Sequence, residues 1–584
     1  MQLARYNQIL ATALLIALAA MLPFELARPL ILLGPFSITN VEAILYIVLA
    51  LWLSHVIFTR RLRWSGLHAA VIGCILAIVL AALFAPFEQT AAWKFTLRSL
   101  SGYALFFAAA DFLNTPARIR IVLTTLVIAT LLSALATFVE ISIPASHPFL
   151  LLFKTRIFNV GEYTRAGGTF EYPNTAAMFW EAMLPVAIGL ASWRSIEKAD
   201  TRSSMRGMLL AATATAIFTQ AILLSASRAA LVGVGLALLA SLLISWRVLS
   251  EVRRVVIICI ASALIVLVGN VIASPLTALR FQSESNDSWF RGEIKPAIQA
   301  IQLDSSARMT LTVVVRNTSI VMWRATGTQP VSLSYHWLDA LTRKSIVRDG
   351  VRTVLPHDLA PGAEISLQAG IVAPDKAGQF ILQWDLLQEH IAWFSQYGNP
   401  TIDVTAQVRS GLGPPIAVTP TQSIEVTARI EPSRRELWMA AIQMWQAHPI
   451  FGIGPDNFRH TYGPYLGLTE FNSAIHTNNW YIETLTNAGL VGAFALAILL
   501  WVLLRTLWRI LSKPNVDFDR LARPNRWLLL CVLIGLLTYF AHGLLDYFFE
   551  FTPTYGLFWL LMGIVAGLSA KSSEAKEAAF AHPT

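Results

Sequence analysis

Charge is what this sequence has least of. Asp, Glu, Lys and Arg make up 14% of its 584 residues, and 55% are hydrophobic. A soluble domain carries about 25% charge. The mean hydropathy is +0.57, so a soluble globular chain is excluded. Cysteine is nearly absent as well. Cys74, Cys259 and Cys531 each lie inside an apolar run, which rules out a disulfide framework in an exported loop and leaves no metal-ligand spacing. A P-loop, an Asp-x-Asp pair and a dinucleotide fingerprint are all missing. The net charge of +9 does not imply nucleic acid, because membrane proteins collect Lys and Arg in their cytoplasmic loops.

What the chain does have is apolar runs of about 20 residues, the length that crosses a hydrocarbon core. They predict about twelve spans, at 8–29, 39–58, 66–86, 92–112, 118–141, 175–194, 207–226, 228–247, 254–273, 487–508, 526–546 and 552–570. The first is followed by Pro23, Glu25 and Arg28 instead of a small-residue cleavage site, and reads as a retained span, not a removed signal peptide. Basic residues cluster in alternate loops. Arg60, Arg61 and Arg63 follow the second span, Arg118 and Arg120 the fourth, and Lys198, Arg202 and Arg206 the sixth. Arg253 and Arg254 follow the eighth, and Arg505, Arg509 and Lys513 the tenth. Those loops are therefore expected in the cytoplasm with both termini. The loop 142–174, the corner 226–228 and the long segment 274–486 then face outward.

Most of that long segment changes character. Leu311, Val313 and Val315 alternate with Thr310, Thr312 and Val314, and Phe380, Leu382, Trp384 and Leu386 repeat the period of two. Turn signals such as Ala360-Pro361-Gly362 separate the runs. An immunoglobulin-like β-sandwich is expected over 300–430. Trp323, Trp337, Trp384 and Trp393 are candidates for facing a sugar, although filling the core is the plainer reading. Asn317-Thr318-Ser319 fits a glycosylation pattern that chance often produces. From Arg434 to Ala447 the period turns helical, with Leu437, Ile442 and Trp445 on one side, as in a helix lying on a membrane surface. The expected fold is an all-α polytopic membrane protein with an inserted extracytoplasmic β-sandwich. Spans one to nine fill 1–273, a connector 274–299, and the surface helix and polar loop 431–486. The last spans fill 487–570, with a cytoplasmic tail at 571–584.

Chemistry-bearing residues gather at the outward loops. Gly452-Ile-Gly-Pro455 leads into Asp456, Asn457, Arg459 and His460. His476-Thr477-Asn478-Asn479 then runs without a break into an apolar helix. Arg165 precedes Ala166-Gly167-Gly168-Thr169, and Arg228 closes the corner Ser225-Ala226-Ser227 with no acidic neighbour. An arginine at a membrane edge needs a partner, and two of them suit a pyrophosphate, since guanidinium bonds phosphate oxygens in pairs. Arg165 equally suits snorkelling to lipid headgroups. His476 lies in an exported polar loop beside Asn478 and Asn479, and neutral imidazole is a competent base near neutrality, so it is favoured over His460 and over His448, where Pro449 suggests a turn. Asp456, Glu483 and Asp546 are the nearby carboxylates, and Asp546 equally suits a counter-ion within the bundle.

At these residues the chain resembles the O-antigen ligase and polymerase family of bacterial membrane glycosyltransferases. The resemblance rests on 448–458 (HPIFGIGPDNF), 476–492 (HTNNWYIETLTNAGLVG), 223–231 (LLSASRAAL) and Arg165 with the Gly-Thr-Phe that follows. It covers the membrane portion and leaves out the β insert. It implies an inverting, metal-independent transfer with no cofactor, from an undecaprenyl-diphosphate-linked glycan, at the outer face of the bacterial cytoplasmic membrane. Arg165 and Arg228 would hold the diphosphate. His476 and Arg228 would serve catalysis, supported by Asn478, Asn479, Asp456 and Asp546. The partners implied are membrane lipids, a lipid-linked oligosaccharide donor and an acceptor that is a glycan, a lipid core or a protein. The rival reading is a transporter or flippase of a lipid-linked saccharide, with the arginines docking a headgroup.

Overall fold

The computed structural model describes residues 2–33, 36–59, 64–160, 163–198, 201–248, 250–273, 289–327, 330–347, 349–389, 392–410, 432, 434–468, 471–512 and 523–581. The chain divides into two compact units. One comprises Met1–Phe158, Thr164–Thr277 and Pro432–Thr584, the other Asn159–Tyr163 and Ala278–Glu431.

The first unit is helical. Its helices are α1 Gln2–Met21, α2 Asn40–Thr59, α3 Gly66–Leu83, α4 Gln89–Phe112, α5 Pro116–Ser142, the short α6 His147–Leu150, α7 Pro173–Lys198, α8 Thr201–Leu224, α9 Arg228–Val248 and α10 Ser250–Ala273. After the second unit come α11 Arg434–Ala447, α12 Phe458–Tyr465, α13 Trp480–Ser512, α14 Arg523–His542 and α15 Thr552–Ala581. A helix stands at each place where a span is expected. Ten of them, among the described residues, are long and apolar enough to cross a membrane. The other two are α4, which carries Lys94, Arg98 and Asp111, and α15, whose apolar part is Thr552–Leu568.

Local sequence explains where these helices start. Thr115 caps α5 by accepting a hydrogen bond from the Arg118 N–H, and Pro116 opens it, where a missing N–H has no partner to lose. The centre of the bundle is α7, which packs against α8 and α14. Small residues permit that approach: a Cβ on Gly535 of α14 would come within 2.3 Å of the Ala182 carbonyl of α7. Trp180, Trp527 and Tyr539 fill the buried volume.

The helix after His476 is not unbroken, as the sequence led us to expect. It begins at Trp480, and at Gly489 its backbone turns to φ 61°, ψ −159°. The break strands backbone groups, and the Gly452–Pro455 turn satisfies them. Ile453 and Gly454 donate to the carbonyls of Thr486 and Asn487, while Leu490 and Val491 donate to those of Pro449 and Ile450. The fit demands glycine on both sides. A Cβ on Gly452 (φ 72°) would lie 2.5 Å from the Thr486 carbonyl oxygen, and one on Gly489 would lie 2.3 Å from that of Ile450.

Helix α11 also differs from expectation. Its buried stripe is Leu437, Ala440, Ala441 and Met444, not Leu437 with Ile442 and Trp445. That stripe packs on Ile453, Phe458 and Tyr462, so the helix spends its apolar face on the protein.

Strands β1 Ile31–Leu33 and β2 Phe36–Ile38 form a hairpin after α1, and short strands β3 Phe158–Val160 and β4 Tyr163–Arg165 precede α7. The second unit is built from two sheets. Its strands are β5 Gly292–Pro296, β6 Ala300–Asp304, β7 Arg308–Asn317, β8 Val331–Asp339, β9 Ser345–Val347, β10 Thr353–Val354, β11 Glu364–Val372, β12 Gly378–Gln388, β13 Ala392–Trp393 and β14 Ile402–Arg409. One sheet runs β11-β7-β5 and the other β10-β8-β12-β14-β6, with β9 on β8 and β13 on β12. All pairs are antiparallel except β14 with β6. The sheets are tied across the core, where Val372 N–H donates to the Tyr335 hydroxyl and the Trp337 indole donates to the Val372 carbonyl, both at 2.8 Å. The four tryptophans considered for sugar contact are at most 6% exposed and belong to the interior. Asn317 is fully buried too. Its amide donates to the carbonyls of Val321 and Leu359, so the glycosylation pattern is a structural turn. Strand β5 lies within 274–299, the stretch read as connector. The stretch 411–430, read as the end of the sandwich, lies outside the described residues.

Candidate functional site

Two clusters of polar side chains form at one end of the helical bundle. The first is organised by Glu140 of α5. One carboxylate oxygen accepts from Lys154 at 2.7 Å, in an ion pair whose side chains are 1% and 0% exposed. The other accepts from the N–H groups of Gly167 and Gly168 at 3.1 and 2.8 Å. Burial pulls the Lys154 pKa below its ordinary value, against the opposing pull of Glu140. The segment that follows Arg165 is thereby fixed from beneath. The Arg165 guanidinium donates to the Ser225 carbonyl at 3.0 Å and to Asn174 at 2.8 Å, and Asn174 donates on to Asp546 at 2.9 Å. Ala226 takes φ 54° to make the corner, and Arg228 stands exposed at the start of α9. Arg165, the Ser225–Arg228 corner and Asp546 are thus brought together across sequence separations that only tertiary structure closes.

The second cluster surrounds His476. Asn479 caps α13: its carbonyl oxygen accepts from Tyr481 and Ile482 N–H, both at 3.0 Å. Its amide donates to the Leu544 carbonyl at 2.8 Å, and Trp480 N–H donates to that of Gly543 at 2.7 Å. Asn478 adopts φ 52° in the turn before the cap. The helix start is therefore pinned to the 543–551 turn, which supplies two neighbours of His476, Tyr547 and Glu550. His476 Nδ1 lies 2.9 Å from Glu483 Oε1, and Nε2 makes an ion pair at 3.2 Å with Glu550 Oε2. The Tyr547 ring packs at 4.9 Å between centroids. Burial would lower the His476 pKa, but Glu483 and then Glu550 outweigh it and raise it to about 10. The expected neutral imidazole is therefore an imidazolium at neutral pH. Glu483, 1% exposed, also accepts from Thr477 N–H and the Asn487 amide, both at 2.9 Å.

Asp456, at φ 67°, receives a two-point grip from Arg459 with both contacts at 2.7 Å. Burial would raise its carboxyl; His460 and Arg459 hold it below the ordinary carboxylate range. Asp456 and Arg459 help wall a cavity of about 650 Å³ together with Glu42, Lys94, Arg98 and Glu550. A smaller cavity of about 130 Å³ shares Arg98 and Asp456 and is otherwise lined by Glu483, Tyr547 and apolar residues such as Leu496 and Leu499. Arg98 reaches Thr552 at 2.8 Å and Glu42 at 3.5 Å. Burial would lift the Glu550 carboxyl, but the His476 imidazolium and Arg459 keep it below its ordinary value. Among the described residues, no group of three or more His, Cys, Asp or Glu side chains is arranged to hold a metal ion.

Sequence reasoning missed Glu550 and Arg98. The signal for Glu550 was present, as a lone carboxylate inside the aromatic run Tyr547-Phe548-Phe549-Glu550-Phe551. Arg98 was hidden inside a predicted span, where an unpaired cation is itself a marker.

Residues 418–497 match a family model described as O-antigen ligase. The match takes in α11, α12, His476 and the first part of α13. No curated protein matches the chain. The protein is thus a polytopic membrane protein in which one segment is similar to the O-antigen ligase model, and that segment contributes His476, Glu483, Asp456 and Arg459 to the cavity walls and to the cluster beside them.

Proposed function

We propose that the protein is a membrane glycosyltransferase of inverting, metal-independent type. It moves a glycan from an undecaprenyl-diphosphate lipid to an acceptor at the outer face of the cytoplasmic membrane, as an O-antigen ligase or a polysaccharide polymerase. The observation that carries the reading is the 543–551 turn. Asp546 joins the Arg165 cluster through Asn174, and Tyr547 and Glu550 join the His476 cluster, so one short turn connects a diphosphate-type cation site with an acid–base site. Arg165 and Arg228 hold the diphosphate and offset the charge that grows as it leaves. The acceptor occupies the cavity of about 650 Å³ beside Glu550 and Arg459. The β-sheet unit and the site face the extracytoplasmic side, following the distribution of basic loops. The sheets are read as an immunoglobulin-like module.

One observation favours the transporter alternative. Helix α13 is interrupted at Gly489, and interrupted helices line the ligand sites of many transporters. Here, however, the freed backbone groups are taken up by residues 449–454.

The test uses purified protein in liposomes with an undecaprenyl-diphosphate oligosaccharide and a panel of acceptors. Acceptor-dependent appearance of a glycosylated product is the expected result, and the productive acceptor separates ligase from polymerase. Movement of the lipid-linked sugar between leaflets without any product would replace this reading with transport.

A further inference from the structure

We propose that Glu550 is the catalytic base that takes the proton from the acceptor hydroxyl, with His476 holding it in place. The proposal rests on the glycosyltransferase reading above and names a reacting group within that site.

The geometry ranks the carboxylates. Asp456 has both oxygens committed to Arg459 at 2.7 Å. Asp546 accepts from Asn174 and from Tyr547 N–H, both at 2.9 Å. Glu483 is 1% exposed and receives His476, Thr477 N–H and Asn487. Glu550 differs. Its side chain is 28% exposed, it lines the large cavity, and Oε2 meets His476 Nε2 at 3.2 Å. Glu483, His476 and Glu550 thus stand in series, a buried carboxylate, an imidazole and a carboxylate that faces the substrate space. Nδ1 is hydrogen-bonded to Glu483 and Nε2 faces Glu550 at ion-pair distance, without the alignment of a hydrogen bond; protonated between these two carboxylates, His476 has no lone pair to offer an incoming hydroxyl. The groups that face Glu550 are His476 from the loop before α13, Asp456 and Arg459 around the start of α12, Arg98 from α4, and Tyr547 from its own turn. Arg98 is shared with Glu25 and Glu42, and it is His476 and Arg459 that outweigh burial and Asp456 and keep Glu550 ionised and ready to accept.

In the step itself, the acceptor oxygen forms a bond to the anomeric carbon as the bond from that carbon to the diphosphate oxygen breaks. The bonding pair leaves with the diphosphate. The hydroxyl proton passes to Glu550, giving a neutral carboxylic acid that later loses it to water. His476 keeps its proton throughout and acts as a positioning residue.

Two measurements test this. The first needs no variant: the rate of acceptor-dependent undecaprenyl diphosphate release by the wild type across pH. A rate that is flat from about pH 6 to 9 and falls only towards the carboxylate range near ~4 is expected. A rate that climbs about tenfold per pH unit across the same interval would assign the base to His476 and overturn the proposal. The second compares E550Q and E550D. E550Q is expected to lose at least about 100-fold in transfer while still binding the donor lipid, and E550D to recover part of the rate. Transfer by E550Q within a few fold of wild type also overturns the proposal. If the wild type releases no undecaprenyl diphosphate with any acceptor at any pH, the glycosyltransferase reading itself fails and takes Glu550 with it.

Discussion

Two histidines of the helical unit are each paired with glutamate, and they differ in what lies beyond the pair. His542, at the end of α14, meets Glu181 of α7 at 3.1 Å, with side chains 1% and 0% exposed. Helix α9 closes over this pair so tightly that a Cβ on Gly233 would lie 2.5 Å from Glu181 Oε2. His476 is buried too, with 7% of its side chain exposed, but its outer partner Glu550 opens on a cavity of about 650 Å³. Burial with a counter-ion is thus common to both pairs, and access to a cavity is what distinguishes the candidate site. The two pairs also stand at opposite ends of one turn. His542–Glu181 fastens the point where the 543–551 turn begins, and His476–Glu550 puts the turn's far end to use.

The comparison breaks most sharply if either pair behaves like the other. His476→Ala is expected to lower glycan transfer by at least about 100-fold while the chain still inserts and binds donor, measured as product formation in liposomes. Arg228→Ala follows, with a transfer loss approaching that size and weaker retention of the donor lipid, because a leaving diphosphate loses its cation. Glu181→Ala should instead act on stability, by about 3–5 kcal/mol, since it leaves His542 uncompensated in the bundle. Replacing both partners with apolar residues should restore most of that loss in a detergent melt, an outcome that no catalytic pair would show. Glu140→Gln sharpens the picture at smaller scale. It loosens the segment after Arg165, and transfer should fall about tenfold or less with a raised KM for the donor.

A separate effect is a pH dependence of stability. The folded His476 titrates near 10, above the ~6.5 of an unfolded histidine. Between those values the folded chain binds more protons than the unfolded one. Its contribution is therefore complete below about pH 6.5 and is lost as pH rises through the folded value. The thermal midpoint of the wild type should fall further between about pH 7 and 10 than that of His476→Gln, which lacks the titration.

Much of the framework could be read before folding was seen. Apolar runs marked the helices because a bilayer demands their length, and the alternation of Phe380, Leu382, Trp384 and Leu386 marked β12 because one face of it is buried. The candidate site was legible only in part. Arg165, Arg228 and His476 stood out as polar groups at the ends of apolar runs, which made them candidates. The break at Gly489 did not, since a glycine in an apolar helix looks like a packing residue until its partner, the Gly452 turn, is in place. Glu550 was overlooked for the same reason. Its significance comes from His476, which lies 74 residues earlier in the chain and meets it only through the fold. Helix α11 misled by period alone: its true buried stripe contains alanines that carry little hydrophobic signal.

The most direct test is the release of undecaprenyl diphosphate in liposomes, with EDTA present, for the wild type and His476→Ala. Release by the wild type is expected to require both an acceptor and His476 and to persist in EDTA. Release by His476→Ala at the wild-type rate, or wild-type release abolished by EDTA, would contradict that expectation.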